Sequence, residues 1–327
     1  MIAYAAPTWL PGGHLQTIYP LLIKPGPYPY RRERWETPDQ DFIDLDWNET
    51  ATSTLGNEKT PLVAPLVALF HGLEGSSSSH YALALMHALT AIGWGGVVIH
   101  FRGCSGEPNR LPRAYHSGDS EEIHWILHRL KQRHPDRPLY AVGVSLGGNA
   151  LLKWLGERES SATRLLCGAA AISAPLDLAA CGHHLASGFN RVYTKHFLQT
   201  LKQSSAAKLQ RFPGLFNEQR MRQAATLYQF DDVVTGPLHG FAGAEDYWRR
   251  ASSKPWLAAI RLPTLVLNAL NDPFLPSHAL PRPDQVAAAV KLELPREGGH
   301  VGFVTGSLPG RLDWLPHRLL HFFQHEV

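Results

Sequence analysis

A serine flanked by glycines at alternate positions, Gly143-Val-Ser145-Leu-Gly147, closes an apolar run, Leu139 to Val144, and opens an apolar helical stretch. A chain turning sharply from strand to helix there holds the serine in a strained conformation and exposes its hydroxyl. It also aims the positive end of the new helix at that hydroxyl. A serine hydroxyl is a weak nucleophile that needs a base, and the base needs an orienting carboxylate. Asp272 follows the apolar run Thr264 to Asn268, and His300 follows the run Val290 to Leu294, inside Glu297-Gly-Gly-His-Val-Gly. Both are expected at the sheet edge that carries Ser145. The expected roles are attack by Ser145, proton transfer by His300 and orientation of the imidazole by Asp272. An oxyanion is expected to meet the backbone amides of Leu146 and Leu73, the latter in His71-Gly-Leu-Glu-Gly75 directly after the run Leu66 to Phe70. One such donor is worth roughly 3–4 kcal/mol in the tetrahedral state.

Other assignments compete for the same residue types. Ser145 could merely cap its helix. Asp177 also follows an apolar run and is the rival acid, whereas Asp231 and Asp232 are expected to cap or to form ion pairs. His71 is expected to brace its loop. Cys104, in Arg102-Gly-Cys-Ser-Gly106, could be a thiol nucleophile but lacks the strand–helix setting, so a bracing turn is the expectation. His183-His184 reads as a poor metal site, adjacent histidines without the spacing of a ligand set. Neither a metal nor a cofactor is expected.

These residues must be positioned by a scaffold, and the pattern supplies one. Buried runs at Leu66–Phe70, Gly96–Phe101, Leu139–Val144, Leu165–Ile172, Thr264–Asn268 and Val290–Leu294 alternate with helical periodicity. That alternation predicts an α/β fold, with a mostly parallel central sheet and helices on both faces. Arg31–Glu36 and Phe42–Trp47 read as a hairpin around Pro38-Asp-Gln, and Thr50 to Thr60 as a polar loop. Residues 1–327 are expected to form a single domain with 1–30 as an extended N-terminal arm. Residues 178–257 carry no buried strand, are too long for an ordinary loop, and read as an inserted helical lid.

Composition narrows the class. With 44% hydrophobic and 18% charged residues, the chain can bury a large core. A net charge of +3 is too close to neutral to suggest nucleic acid. Three irregularly spaced cysteines argue against a disulfide framework and favour the cytoplasm. No signal peptide or membrane span is read in the sequence. From His183 to Arg222 there are seven Lys or Arg residues and one acid, Glu218. The bland reading is a solvated face; the sharper one is peripheral contact with an anionic membrane or substrate.

Several longer motifs resemble the YheT-like α/β-hydrolases, the AB-hydrolase 4 group. They are Trp9-Leu-Pro-Gly-Gly-His-Leu-Gln-Thr, Asp41-Phe-Ile-Asp-Leu-Asp-Trp, His71-Gly-Leu-Glu-Gly-Ser, Phe101-Arg-Gly-Cys-Ser-Gly-Glu-Pro-Asn-Arg, Tyr115-His-Ser-Gly-Asp and Gly143-Val-Ser-Leu-Gly-Gly-Asn. Phe230-Asp-Asp-Val-Val-Thr-Gly-Pro-Leu-His-Gly-Phe, Asn271-Asp-Pro-Phe and Gly298-Gly-His-Val-Gly-Phe complete the set. The first and the Phe230 segment are the most specific. The resemblance implies the α/β-hydrolase fold and carboxylic-ester hydrolysis, with Ser145, Asp272 and His300 at the family's catalytic positions. The implied partner is a small-molecule or lipid ester. The expected course passes through an acyl-serine intermediate; the alternatives are acyl transfer by the same residues, or a non-catalytic binding protein on this fold.

Overall fold

A computed structural model describes residues 3–48 and 64–327; the polar loop expected over Thr50 to Thr60 lies outside them. The first elements are helix α1 (Gly13–Ile18) and strands β1 (Arg31–Glu36) and β2 (Phe42–Asn48). The expected N-terminal arm is therefore not extended throughout. Gly13–Ile18 coil into a helical turn and Tyr19–Leu21 continue as a 3-10 turn, because the segment docks on the body of the protein through side chains described below. β1 and β2 pair antiparallel, with Gln40 at φ 66° in the turn between them.

The rest alternates. β3 (Leu66–Phe70), α2 (His80–Ala91), β4 (Gly95–His100), α3 (Ser120–Arg133), β5 (Leu139–Val144), α4 (Leu146–Arg158) and β6 (Gly168–Ile172) follow in order. After β6 come α5 (Leu178–Leu185), α6 (Arg191–Arg211), α7 (Glu218–Gln223), α8 (Leu227–Phe230), α9 (Gly236–Leu238) and α10 (Ala244–Ala251). Only then does the chain return to the sheet with β7 (Thr264–Leu267), β8 (Val290–Glu293) and the closing helix α11 (Trp314–His325). The eight strands lie in the order β1-β2-β4-β3-β5-β6-β7-β8. β2 pairs with β4 antiparallel, and every pairing from β4 through β8 is parallel.

Strand residues alternate between two cores, as the two-residue period of a strand requires. Val67, Leu69, Val142, Ala170 and Leu265 pack under α2 and α11. Leu66, Ala68, Phe70, Ala141, Ala169 and Val266 pack under α3 and α4. A sheet covered on both faces leaves function to the loops at its strand ends. The loops after β3, β5, β7 and β8 carry Leu73, Ser145, Asp272 and His300 respectively, and parallel pairing places them at one edge.

The turn from β5 into α4 is the tightest junction. A Cβ added at Gly143 would sit 2.5 Å from the Gly147 carbonyl oxygen and 2.6 Å from the Gly148 Cα. Both neighbours are backbone and cannot rotate away. Gly143→Ala is expected to cost on the order of 1–3 kcal/mol through overpacking. Urea denaturation would check this, and an unchanged midpoint would refute it.

Candidate active site

Ser145 sits between β5 and α4 at φ 51°, ψ −118°, a conformation an L side chain rarely adopts. Its amide is pinned to the Ile172 carbonyl at 2.8 Å, and its carbonyl accepts from Asn149 N. The hydroxyl is left pointing into a cavity, 2.9 Å from His300 Nε2. His300 Nδ1 lies 2.9 Å from Asp272 Oδ2. A carboxylate can only accept, so Nδ1 carries the proton and Nε2 presents its lone pair to the serine. Asp272 is 5% exposed, and its other oxygen accepts from Phe274 N. The Phe274 ring stacks on the imidazole with centroids 3.9 Å apart, which fixes the ring plane. The arrangement can draw a proton from Ser145 Oγ to His300 while Asp272 faces the developing positive charge. The rival acid, Asp177, is instead the N-cap of α5 through Ala180 N.

The loop bearing His300 is held one backbone group at a time. Gly298 N donates to Gln16 Oε1 and Gly299 N to Asn271 Oδ1. His300 N donates to Thr17 Oγ1, and Val301 N to Ser173 Oγ. The Val301 carbonyl accepts from His80 Nε2, a histidine whose burial pushes its pKa down to about 4 and keeps it neutral. Gln16 is fully buried and uses its whole amide. Its oxygen also accepts from Asn271 Nδ2, and its nitrogen donates to Leu10 O and Glu297 Oε1. It thereby ties the loop next to Asp272 to the loop carrying His300. Sequence reasoning missed Gln16 and Thr17 as supports, although both lie in a motif it singled out. No periodicity marks them: in His14-Leu-Gln-Thr-Ile18 the polar pair faces inward and the apolar residues outward, the reverse of an ordinary surface helix.

The loop after β3 offers the second feature. Gly72 N donates to Tyr81 Oη, Glu74 N to Tyr115 Oη, Gly75 N to Gly72 O and Ser76 N to Ser79 Oγ. Between these tethered amides, Leu73 N has no hydrogen-bond partner among the described residues. Leu146 is the first residue of α4, where an amide has no intrahelical acceptor. A Cβ at Gly72 would lie 3.1 Å from Ser145 Cβ, so the loop runs directly over the serine. His71 braces it. Nδ1 donates to Gly72 O, Nε2 accepts from Phe101 N, and burial lowers its pKa to about 3. Tyr81 and Tyr115 are braces that sequence reasoning did not find.

Ser145 and His300 open onto a cavity of about 340 Å³ whose walls include Leu73 and Leu146. The helices between β6 and β7 supply much of the apolar lining, including Leu178, Leu185, Phe197, Leu201 and Phe212. Of the six phenylalanines in this segment, Phe197, Phe212 and Phe230 line the cavity. Phe216 packs in a local core with Leu198 and Met221, and Phe189 is exposed. Asn149, four residues after Ser145, joins this segment to the sheet: its side chain donates to Ser117 O and Ala251 O and accepts from Ser253 N. On the opposite wall, buried Asp41 gathers Asn109, Arg110 N and Arg102 around the Arg102–Leu111 loop. Burial drives the Cys104 thiol upward, away from a reactive thiolate. Asp232 pairs with Arg220. Asp231 departs from expectation: it neither caps nor pairs, but accepts from Trp248 Nε1 and Thr235 Oγ1 beside the cavity. Burial raises its pKa to about 6.

Comparisons with known proteins bear on the family and the fold. Residues 65–307 match the family model described as the alpha/beta hydrolase fold. YheT of Escherichia coli (strain K12), provisionally named an esterase, is 41% identical over 94% of this chain and 88% of its own length. A phospholipase of Homo sapiens, ABHD3, is 31% identical over 99% of this chain and 79% of its own. Among solved structures, the Pyrococcus furiosus esterase Pf2001 superposes with a TM-score of 0.56 at 15% identity, covering 91% of this chain and 93% of that one; this likeness concerns the fold alone.

Two outcomes test the supports. Gln16→Leu removes an amide that satisfies four partners, two of them backbone groups, and should cost about 1–3 kcal/mol in chemical denaturation. No loss would mean that water replaces it freely. For Asp231, the native state favours the protonated form. Its contribution is therefore neutral below the unfolded value near pH 4 and becomes unfavourable as pH rises through about 6. Asp231→Asn should flatten the pH dependence of the unfolding midpoint between those values relative to wild type. Parallel curves would contradict this assignment.

Proposed function

The chain belongs to the α/β-hydrolase family and to its YheT-like branch, and from that footing we propose that it is a serine hydrolase of carboxylic esters, small-molecule or lipid-like. The observation that carries the proposal is the hydrogen-bonded relay Ser145 Oγ–His300 Nε2 and His300 Nδ1–Asp272 Oδ2, each link 2.9 Å, opening onto an apolar cavity.

In the proposed reaction, Ser145 Oγ adds to the ester carbonyl carbon as its proton passes to His300 Nε2. The carbonyl oxygen becomes an oxyanion and accepts from the Leu73 and Leu146 amides. These donors bind the tetrahedral state more tightly than the planar ester, which lowers the barrier. The imidazolium returns its proton to the departing alkoxide oxygen as the C–O bond breaks. The product alcohol leaves and Ser145 remains acylated. Water then adds to the acyl carbon, giving its proton to His300, and collapse releases the carboxylic acid and restores the hydroxyl. Asp272 accepts from His300 Nδ1 and holds the ring in place throughout.

The helices of residues 178–257 serve as a lid. Their Leu178, Leu185, Phe197, Leu201 and Phe212 side chains form a surface suited to an acyl chain. Water excluded from this chamber strengthens the contacts to the oxyanion. The names of the similar proteins, esterase and phospholipase, point to the same ester chemistry.

A fluorophosphonate probe should label the native protein at Ser145, and Ser145→Ala should abolish labelling and lower the turnover of a p-nitrophenyl ester by at least about 10³-fold. Labelling that persists in Ser145→Ala would sink the assignment. Cys104→Ala should retain turnover within about threefold, since its thiol has no part in the relay; a loss like that of Ser145→Ala would move the nucleophile to Cys104. Graded acyl esters, with an added alcohol acceptor, would report chain preference and the division between water and alcohol.

A further inference from the structure

Ten large hydrophobic side chains are exposed among the described residues, and eight of them gather in one region. Leu15, Ile18, Leu21 (60% exposed) and Leu22 (75%) project from α1 and the 3-10 turn after it. Phe189 (54%) and Val192 (55%) stand at the start of α6. The two groups meet where the His14 ring contacts Phe189, centroids 4.6 Å apart, and where His14 Nδ1 lies 3.1 Å from Tyr193 Oη. Leu270 shares a shallow depression with His14 and Phe189. Leu308 flanks Pro309, whose carbonyl accepts from Tyr19 Oη. The remaining two, Ile92 and Val327, lie on α2 and at the C-terminus. Scattered apolar residues need no explanation, but a concentration of this kind marks a contact surface.

We propose that this face is a membrane-docking surface for a bilayer containing anionic lipid, set beside the mouth of the active site. Charge chooses this occupant. Neither residues 3–30 nor residues 178–217 contain an aspartate or glutamate. Lys24, Arg191 and Lys195 border the apolar side chains, and none has a carboxylate partner among the described residues. A second copy of the chain would bring like charges together, whereas an anionic lipid surface complements them. The inward commitments of α1 explain why the apolar residues remain outside. Gln16 and Thr17 hold the Asp272 and His300 loops, so Leu15, Ile18, Leu21 and Leu22 cannot also turn in. The same depression includes Asn271 and Asp272, and α6 runs from Phe189's neighbourhood to the residues lining the cavity. An acyl chain leaving the bilayer at this face thus has a short route to the cavity.

The test is co-sedimentation of the full chain with vesicles of phosphatidylcholine alone, or with about one-third phosphatidylglycerol. Wild type should bind the anionic vesicles about tenfold better than the neutral ones. Leu21→Asp with Leu22→Asp should lose most of that binding, Arg191→Glu with Lys195→Glu should lose it also, and Ile92→Asp should bind like wild type. Hydrolysis of a water-soluble short-chain ester should be unchanged in all of them, which shows that each is folded. Equal binding to both vesicles, or binding that survives the leucine substitutions, overturns the proposal. So does a lipid-free dimer that those substitutions convert to monomer, which would assign the face to a second copy. Failure of wild type to hydrolyse esters would count against the role of Ser145 and would leave the vesicle result standing.

Discussion

The backbone at Ser145 is the constraint to which the rest of the site conforms. At φ 51° it costs conformational energy, and only dense packing can hold it. That packing comes from omitted side chains: Gly143, Gly147 and Gly148 let β5, α4 and the β3 loop close on one another. The same closeness brings the Gly72 backbone against Ser145. The α4 N-terminus arrives by the same turn, so the hydroxyl and the first amide of α4 are positioned by one local event.

The other half of the site is built from loops, and loops need partners for their backbone groups. Four consecutive amides, Gly298 to Val301, all donate to side chains, and those side chains come from three distant parts of the chain. Gln16 and Thr17 of α1 supply two of the acceptors. A segment that composition marks as irregular is therefore structural to the site. Its helix is turned inside out: Gln16 and Thr17 accept from loop amides inside while Leu15 and Ile18 face water.

The helical segment between β6 and β7 completes the cavity and is itself anchored near the chemistry. Asn149 follows Ser145 by about one helical turn and reaches Ala251 and Ser253 at the end of α10. Tyr247, in α10, accepts from Ser117 N in the adjoining loop. One wall of the cavity and the serine turn thus share a framework. α6 is held more lightly: only Thr194, Leu198 and Ser205 of its 21 residues are buried.

Much of this was legible in the residues themselves. The strand-and-turn pattern marks Ser145, Asp272 and His300 because a parallel sheet sends every strand to the same edge, and the order of apolar runs encodes that edge. Strand limits agree with the pattern to within about three residues, since burial on both faces writes a continuous apolar run. The tertiary structure alone decided which neutral side chains hold the machinery. Gln16, Thr17, Asn149, Tyr81 and Tyr115 leave no periodic trace, because a hydrogen bond between residues far apart in sequence depends on distance and angle in space. It also decided that Asp231 would sit half-buried with no cation beside it among the described residues, and that α1 would coil with Leu15 and Ile18 outward. Local propensity fixes the elements; the requirement that every buried polar group find a partner fixes how they face.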